Sequence, residues 1–68
     1  MPNPAIIGER LKTLRAKSGK TIEEVSKNVG ISPSALGMYE SGRRIPRDEI
    51  KESLARYYKR SVAYIFFS

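Results

Sequence analysis

The chain has 68 residues, a length that predicts one domain over residues 1–68, with a small core and no second, ligand-sensing domain. Thirteen Lys and Arg against seven Asp and Glu give a formal charge of +6, which indicates a polyanionic partner, nucleic acid before an anionic membrane. The sequence contains no Cys and no His, so the usual thiolate and imidazole groups of metal sites and catalysts are missing. We therefore expect no enzyme activity, no catalytic residue, no metal, no cofactor and no small-molecule ligand.

The longest strongly apolar stretch runs from Val62 to Phe67. It is far shorter than the roughly 20 residues that cross a bilayer. The N-terminal residues MPNPAIIGER lack a basic segment ahead of a long apolar one, which argues against a secretory signal peptide. These features predict a cytoplasmic protein that is not inserted in a membrane.

A first helix is predicted between Asn3-Pro4 and Ser18-Gly19. Asparagine favours the N-cap, proline the first helical position, and glycine the position that follows a helix. The apolar residues recur at the spacing of one buried face, and the cationic residues fall off that face, where we interpret them as a solvated surface. The apolar set is Ile7, Leu11 and Leu14, and the cationic set is Arg10, Lys12 and Lys17.

Two short helices around a tight turn are predicted at about residues 21–42, and the rest of the chain is organised around them. Thr21 and Glu24 have the spacing of a capping box at the start of one helix, and Gly30 ends it. Ser32-Pro33 then caps and begins the next helix. Helices of about eight residues need packing partners to be stable. The pattern matches a helix-turn-helix, whose second helix enters the major groove of DNA.

The loop that follows, SGRRIPR at residues 41–47, carries three arginines and no acidic residue. It is the densest positive run in the chain. As an ordinary surface loop it needs no further explanation. As a DNA contact it lies where arginine matters, because guanidinium groups bind phosphate oxygens and favour the negative potential of a narrow minor groove. We therefore predict that this loop contacts DNA beside the second helix of the pair.

Two further helices are predicted after this loop. Asp48 is a candidate cap for a fourth helix that ends near Lys59, and Ser61 is a candidate cap for a short fifth helix. The residues expected to face inward are Ile50, Leu54, Tyr57 or Tyr58, Val62, Ile65 and Phe66.

Tyr57, Tyr64 and Phe67 add more apolar area than a core of this size encloses easily. They are either ordinary core and scattered surface residues or a homodimer interface, where aromatic residues are enriched. We favour the homodimer. Two-fold symmetry would then place two DNA-reading helices one turn of the duplex apart, about 34 Å.

These motifs together resemble the lambda-repressor-like, Cro-type helix-turn-helix family, also called XRE. The resemblance covers nearly the whole chain and rests on the order and spacing of Ile7 to Arg15, Gly19-Lys20-Thr21, Glu24-Val25, Val29 to Ser32, Tyr39 to Arg44 and Ile45-Pro46. It implies an all-α, compact five-helix fold and a sequence-specific DNA-binding transcriptional regulator. We predict a repressor that binds a palindromic operator in double-stranded DNA as a homodimer.

The resemblance also implies roles for individual residues. In many relatives the residues that match Arg15 and Glu40 form a pair that ties the first helix to the third, and dimers often form through the C-terminal end. Arg43 and Arg44 would contact phosphates, and Arg47 would enter the minor groove.

Helix geometry places further DNA contacts on Thr21 and on the outward face of the third helix. Thr21 stands at a helix N-terminus, whose free N–H groups and partial positive charge favour a phosphate. The base-reading face lacks the Asn, Gln, Arg and Lys side chains that contact bases bidentately, so we expect modest direct readout and a large share of shape recognition. That face consists of Ser32, Pro33, Ser34, Gly37, Met38 and Ser41.

Several positions leave alternatives open. Met38 also fits an exposed helix residue without function, and Gly37 also fits a packing accommodation. Ile22 stands where the family commonly has glutamine, and Asp48 and Lys51 stand where leucines are common, so we expect a small shift or rotation of the fourth helix. Ile22 and the third helix, which is poor in polar base-reading side chains, favour a second function: a protein-interaction module of antitoxin type with weakened DNA reading and a partner protein at its aromatic C-terminus.

Overall fold

The computed structural model describes residues 2–68, and this range contains five helices and no strand. They are α1 (Pro4–Ser18), α2 (Ile22–Val29), α3 (Pro33–Glu40), α4 (Asp48–Tyr58) and α5 (Ala63–Phe67), the last a short π-helical segment. The predicted all-α, five-helix fold is confirmed. Among the residues described, no helix combines the length and the apolar character that a bilayer crossing requires.

Side-chain caps fix the starts of the first three helices at the predicted residues. Asn3 Oδ1 and Ser32 Oγ each accept a hydrogen bond from the N–H three residues later, at 2.9 and 3.0 Å. Thr21 Oγ1 accepts from the Glu24 N–H at 3.1 Å, and Glu24 Oε1 accepts from the Thr21 N–H at 2.9 Å. These bonds satisfy donors that a helix start leaves unpaired, so the local sequence sets these boundaries.

The predicted cap of α4 is wrong. Arg47 occupies the N-cap position without a side-chain hydrogen bond, and Asp48 is the first helical residue. The neighbouring Pro46 is fully buried, so the packing of the preceding loop decides where α4 begins. Ser61, the other candidate cap, does accept a hydrogen bond at 2.9 Å from the N–H three residues later.

One hydrophobic core lies where the five helices meet. Every helix contributes to it, because apolar residues recur at helical spacing along each of them. The apolar helical side chains with 0–1% exposure are Ile7 and Leu11 from α1, Val25 from α2, Leu36 from α3, Leu54 from α4, and Ile65 and Phe66 from α5. Leu14, which was expected in the buried set, is half-buried at the edge of this core.

A glycine allows α1 and α3 to touch through their backbones. A Cβ atom at Gly8 would lie 2.8 Å from the carbonyl oxygen of Tyr39 and closer still to that of Glu40. Side chains larger than hydrogen do not fit this gap. The C-terminal end of α3 therefore sits directly on α1.

Arg10 binds α5, which corrects the interpretation of this residue as part of a solvated face. Its guanidinium donates to the backbone oxygens of Ser68 at 2.7 Å, Ile65 at 3.1 Å and Tyr64 at 3.3 Å. The last carbonyl groups of a helix have no partner inside it. Arg10 supplies that partner and holds α5 against α1.

Lys51 is largely buried, which is unusual for lysine. Its ammonium lies 5.1 Å from the ring centre of Phe67, 5.8 Å from that of Phe66 and 3.8 Å from the Asp48 carboxylate. The aliphatic stem packs on apolar surface while the charge faces two aromatic rings and a carboxylate. A lysine thus packs where the family commonly has leucine.

Candidate nucleic-acid interface

α2 and α3 form the helix-turn-helix. Gly30 ends α2 in the left-handed conformation, with φ 85°, and Ser32 begins α3 directly afterwards. The inner side of α3 packs on α1 and α2 through the buried Leu36 and Tyr39. The opposite side faces solvent and has room for a groove of DNA.

The outer side of α3 is small and uncharged. All six residues predicted to read bases lie at the surface there: Ser32, Pro33, Ser34 and Ser41 are exposed, and Gly37 and Met38 are partly exposed. None of their side chains carries a formal charge or an amide group. The chemistry available on this face is therefore limited to hydroxyl groups, one thioether and the backbone.

Two of the three serines already use their hydroxyl groups within the chain. Ser32 Oγ accepts the cap hydrogen bond, and the Ser41 hydroxyl donates to the carbonyl oxygen of Met38 at 3.2 Å. The Ser34 hydroxyl makes no hydrogen bond within residues 2–68. Ser34 is therefore the residue on this face whose donor and acceptor both remain for a base.

Open space surrounds Gly37 in the middle of α3. A Cβ atom built there would meet no atom within 4 Å. The packing explanation for this glycine is therefore wrong. Because glycine in a helix interior is destabilising relative to alanine, close approach of a partner outside the chain gives a physical reason for it.

The arginine loop, residues 41–47, is anchored at both ends beside α3. The carbonyl oxygen of Met38 accepts a hydrogen bond from the Arg43 N–H at 2.9 Å, and Pro46 is fully buried. The loop backbone is therefore fixed while its cationic side chains remain in solvent. The exposed cations are Arg43, Arg44 and Arg47.

Thr21 lies exposed at the N-terminus of α2, within the capping box. The hydrogen bond from its backbone, followed by that from its side chain, lowers the pKa of Glu24, so this carboxylate is ionised and occupies part of the positive end of the helix. Ile22 is half-buried against the core and has no polar group to offer. A phosphate at this end would rest on Thr21 and the first free N–H groups of α2.

Arg15 and Glu40, the pair implied by the resemblance, form a bidentate ion pair between α1 and α3. Arg15 Nε lies 2.8 Å from Glu40 Oε2, and Nη2 lies 3.0 Å from Oε1. The Glu40 side chain is only 6% exposed and that of Arg15 20%, so water screens the pair weakly. Arg15 Nη1 also donates to the Lys20 carbonyl oxygen at 3.1 Å. The pair thereby orients α3 relative to both α1 and the start of α2.

The three aromatic residues expected at a dimer interface line three different clefts. Tyr57 packs edge-on against the next tyrosine, with 5.2 Å between ring centres, near the C-terminal ends of α1 and α4. Tyr64 lines a cleft along α1, and Phe67 lies against Lys51 near the start of α4. Tyr64 and Phe67 are each 53% exposed, whereas Tyr57 is half-buried. The exposed aromatic pair is therefore the one on α5.

Two backbone carbonyl groups help to assemble this surface, and no side-chain pattern predicts them. The Lys20 carbonyl receives Arg15, and the Met38 carbonyl receives the arginine loop. The available signal is indirect. For Met38, the end of α3 before Ser41-Gly42 leaves carbonyl oxygens that the following N–H groups satisfy; the Lys20 carbonyl lies outside any helix and has no such signal.

A profile of the helix-turn-helix domain matches residues 6–63. The chain belongs to this family. A comparison with curated proteins found no match. The family match agrees with the resemblance read from the sequence, which covers the same helices.

Solved structures similar to this helix-turn-helix domain include gene regulators. The clp gene regulator ClgR from Corynebacterium glutamicum has a TM-score of 0.82 and 29% identity over 96% of this chain and 86% of its own. A second ClgR structure has a TM-score of 0.84 and 30% identity, over 94% of this chain and 71% of its own. The restriction-modification controller protein C.AhdI from Aeromonas hydrophila has a TM-score of 0.85 and 26% identity, over 91% of this chain and 94% of its own. The resemblance to the XRE helix-turn-helix family is confirmed, and the chain is a DNA-binding transcriptional regulator.

Proposed function

We propose that this chain is a repressor that binds a palindromic operator as a homodimer, with α3 in the major groove. The observation that carries the proposal is the free outer face of α3 beside three exposed arginines whose loop is anchored at both ends. Helix-turn-helix proteins dock by placing the second helix in the groove while fixed contacts to phosphates set the register. Occupation of a promoter by such a dimer would block transcription.

Phosphate contacts would supply most of the affinity. Arg43 and Arg44 would contact phosphates beside α3, Arg47 would reach the minor groove, and Thr21 would hold the backbone at the start of α2. Each neutralised phosphate releases counterions, so the affinity should fall steeply with salt. The formal charge of +6 would also speed the encounter with DNA.

Base reading would rest on few groups. Ser34 offers a free hydroxyl, Met38 an apolar contact for a thymine methyl group, and Gly37 a close approach of the helix backbone to the bases. Ser32, Pro33 and Ser41 would lie at the ends of the contact. Since these groups discriminate weakly, sequence-dependent DNA shape would contribute much of the selectivity.

The operator is tested by selecting bound duplexes from a random DNA pool at about 150 mM salt, which suppresses much of the non-specific binding. We expect an inverted repeat with half-sites about ten base pairs apart. A folded protein that enriches no motif would contradict sequence-specific repression.

Two matched double variants test the contacts. Arg43→Ala with Arg44→Ala should weaken binding to all duplexes and reduce the salt slope by about 0.9 for each lost phosphate contact. Lys12→Ala with Lys27→Ala removes the same charge from exposed positions on α1 and α2 and should change the slope little. Equal effects of the two doubles would show that only net charge matters.

The dimer would form through the exposed Tyr64 and Phe67 on α5. Sedimentation at about 100 µM should show a species heavier than the 7.7 kDa chain, and Tyr64→Ser with Phe67→Ser should shift it towards the monomer. A monomer under all these conditions, both free and on the operator, would remove the dimer from the proposal.

A second candidate is a protein-interaction module of antitoxin type. The uncharged outer face of α3 and the half-buried Ile22 favour it, because both reduce the groups available to DNA. The Arg43 and Arg44 double variant separates the candidates. A module that only binds a protein at its aromatic end would lose nothing when these arginines are removed.

A further inference from the structure

A cationic groove lies outside α3 and the arginine loop. The C-terminal parts of α1, α2 and α4, the two residues that follow α4, and Lys20, next to Thr21, form its walls. It has a volume of about 590 Å³. We call it the rear groove and define it by four cations, Lys17, Lys20, Lys59 and Arg60, and by Leu14 and Tyr57. None of the described residues that line it is acidic.

The cations of the rear groove are only partly compensated within residues 2–68. Lys20 contributes, after the hydrogen bonds from Thr21, to lowering the pKa of Glu24. The Arg60 guanidinium lies 5.8 Å from the ring centre of Tyr64. In the part of the chain that the structure describes, none of its four cations forms an ion pair with an Asp or Glu. The negative ends of the α1 and α4 helix dipoles attract cations, which explains one lysine at each of these helix ends. They do not account for the convergence of four like charges, which repel one another in one groove.

Lys59 adds a conformational observation. It ends α4 in the left-handed conformation with φ 57°, the single non-glycine residue with positive φ in residues 2–68, whereas α1 and α2 end in this conformation at Gly19 and Gly30. Residues that carry a Cβ atom are strained in this backbone conformation, whereas glycine is not. The chain therefore keeps a cation in the groove wall at a position where glycine would be more stable.

Apolar side chains complete the wall of the rear groove. Tyr58 also lines it, but its hydroxyl is buried and is therefore not a contact for a ligand in the groove. Leu14 and the half-buried ring of Tyr57 give the groove an apolar part beside its cations. A ligand that fits would carry several carboxylates and at least one apolar side chain.

We propose that the rear groove binds an acidic segment of a partner protein, with its carboxylates on the cations and an apolar side chain on Leu14 and Tyr57. A second copy of this chain is a poor occupant because it carries a formal charge of +6. Neither α3 nor the arginine loop lines the groove, so DNA bound to those two elements would not fill it. The groove thus allows another protein to act on the regulator while α3 occupies DNA, and Tyr57 belongs to this groove instead of a dimer interface.

The probe is a display library of random peptides of about a dozen residues, selected on the intact chain at about 150 mM salt without DNA. Enriched peptides should be rich in Asp and Glu and contain Leu or an aromatic residue. A selection that enriches no peptide, or peptides without an excess of acidic residues, would overturn the proposal.

Matched charge variants then locate the binding of an enriched synthetic peptide. Lys17→Gln, Lys59→Gln and Arg60→Gln together should weaken it about tenfold. Lys12→Gln, Lys27→Gln and Arg56→Gln, all exposed and outside the groove, remove the same charge and should change it less than about twofold. Equal losses in the two triples would refute a defined groove.

Lys59→Gly separates binding from folding. It should raise the melting temperature, since glycine is relaxed at φ 57°, while it weakens peptide binding. Binding unchanged by Lys59→Gly and by the groove triple would place the peptide elsewhere. If the groove triple lowers affinity for the selected operator and the control triple does not, the groove contacts flanking DNA and the proposal fails. These readouts do not depend on whether the protein represses.

Discussion

Gly37→Ala should make the protein more stable and a weaker DNA binder. No atom lies within 4 Å of the added Cβ, so the methyl group meets no clash inside the chain. Alanine in place of a mid-helix glycine stabilises by about 0.5 to 1 kcal/mol. In a domain of this size that gain corresponds to a rise in melting temperature of about 2 to 8 °C. On DNA the same methyl group would hold α3 away from the bases, and we expect a loss of affinity of about tenfold.

Thermal unfolding followed by circular dichroism and operator binding followed by fluorescence anisotropy measure the two effects. Thr13→Ala is the control, because Thr13 is exposed on α1 and alanine improves helix propensity there, away from the outer face of α3. It should stabilise the chain without weakening DNA binding. A Gly37→Ala protein that is stabilised and binds the operator like its parent would refute the close approach of α3, and a destabilised one would refute the open space.

Three further perturbations test the packing and the caps. Gly8→Ala should destabilise by about 3 kcal/mol, because its Cβ would collide with backbone oxygens of α3 that cannot move aside independently; denaturant unfolding measures this, and a change below about 1 kcal/mol would contradict the contact. Arg15→Ala should lower the free energy of unfolding by about 2 to 4 kcal/mol, because it leaves the Glu40 carboxylate buried without its partner. A melting temperature within about a degree of the parent would contradict this role of the ion pair. Glu24→Gln should be less stable than the parent at neutral pH, and this difference should shrink as the pH falls below 4.5 and through the lowered pKa of Glu24. Melting temperatures that differ by the same amount at pH 7 and at about pH 3 would exclude the ionised capping box.

The helix starts that could be predicted are those with a capping side chain in the sequence. Asn3, Thr21 and Ser32 cap the first three helices as expected, because each bond joins residues only three positions apart and needs no tertiary information. The same reasoning failed at Asp48. There Arg47 became the N-cap, since the path of the loop, fixed by distant packing, overrode local preference.

The charged residues that pack between helices could not be assigned from spacing alone. Arg10 shares the surface pattern of its neighbours on α1, yet it binds carbonyl groups more than 50 positions away. Lys51 is buried because two phenylalanines of α5 fold over it. Periodicity shows which side of a helix faces inward, but it does not show which distant element covers a given side chain.

Some features of the candidate DNA-binding site could be predicted from the sequence, and others required the structure. The sequence predicts which residues of α3 face outward, and these residues lie at the surface of the structure, because the outward side of a helix follows from its buried side. The state of each hydroxyl, the open space at Gly37 and the separation of Tyr57 from the aromatic pair on α5 required coordinates. These details depend on atomic positions that residue types do not encode.

The contact between Arg10 and α5 bears on the order in which the chain folds. The bond from Arg10 to the Ile65 carbonyl closes a loop of 55 residues, and long loops close at a larger entropic cost than short ones. The helix-turn-helix lies inside that loop and is built from nearer contacts, so docking of α5 should come late. Amide hydrogen exchange should then be faster in α5 than in the buried turns of α1 and α3. Since Tyr64 and Phe67 lie on α5, the DNA-reading half would be complete before the half proposed to pair two copies.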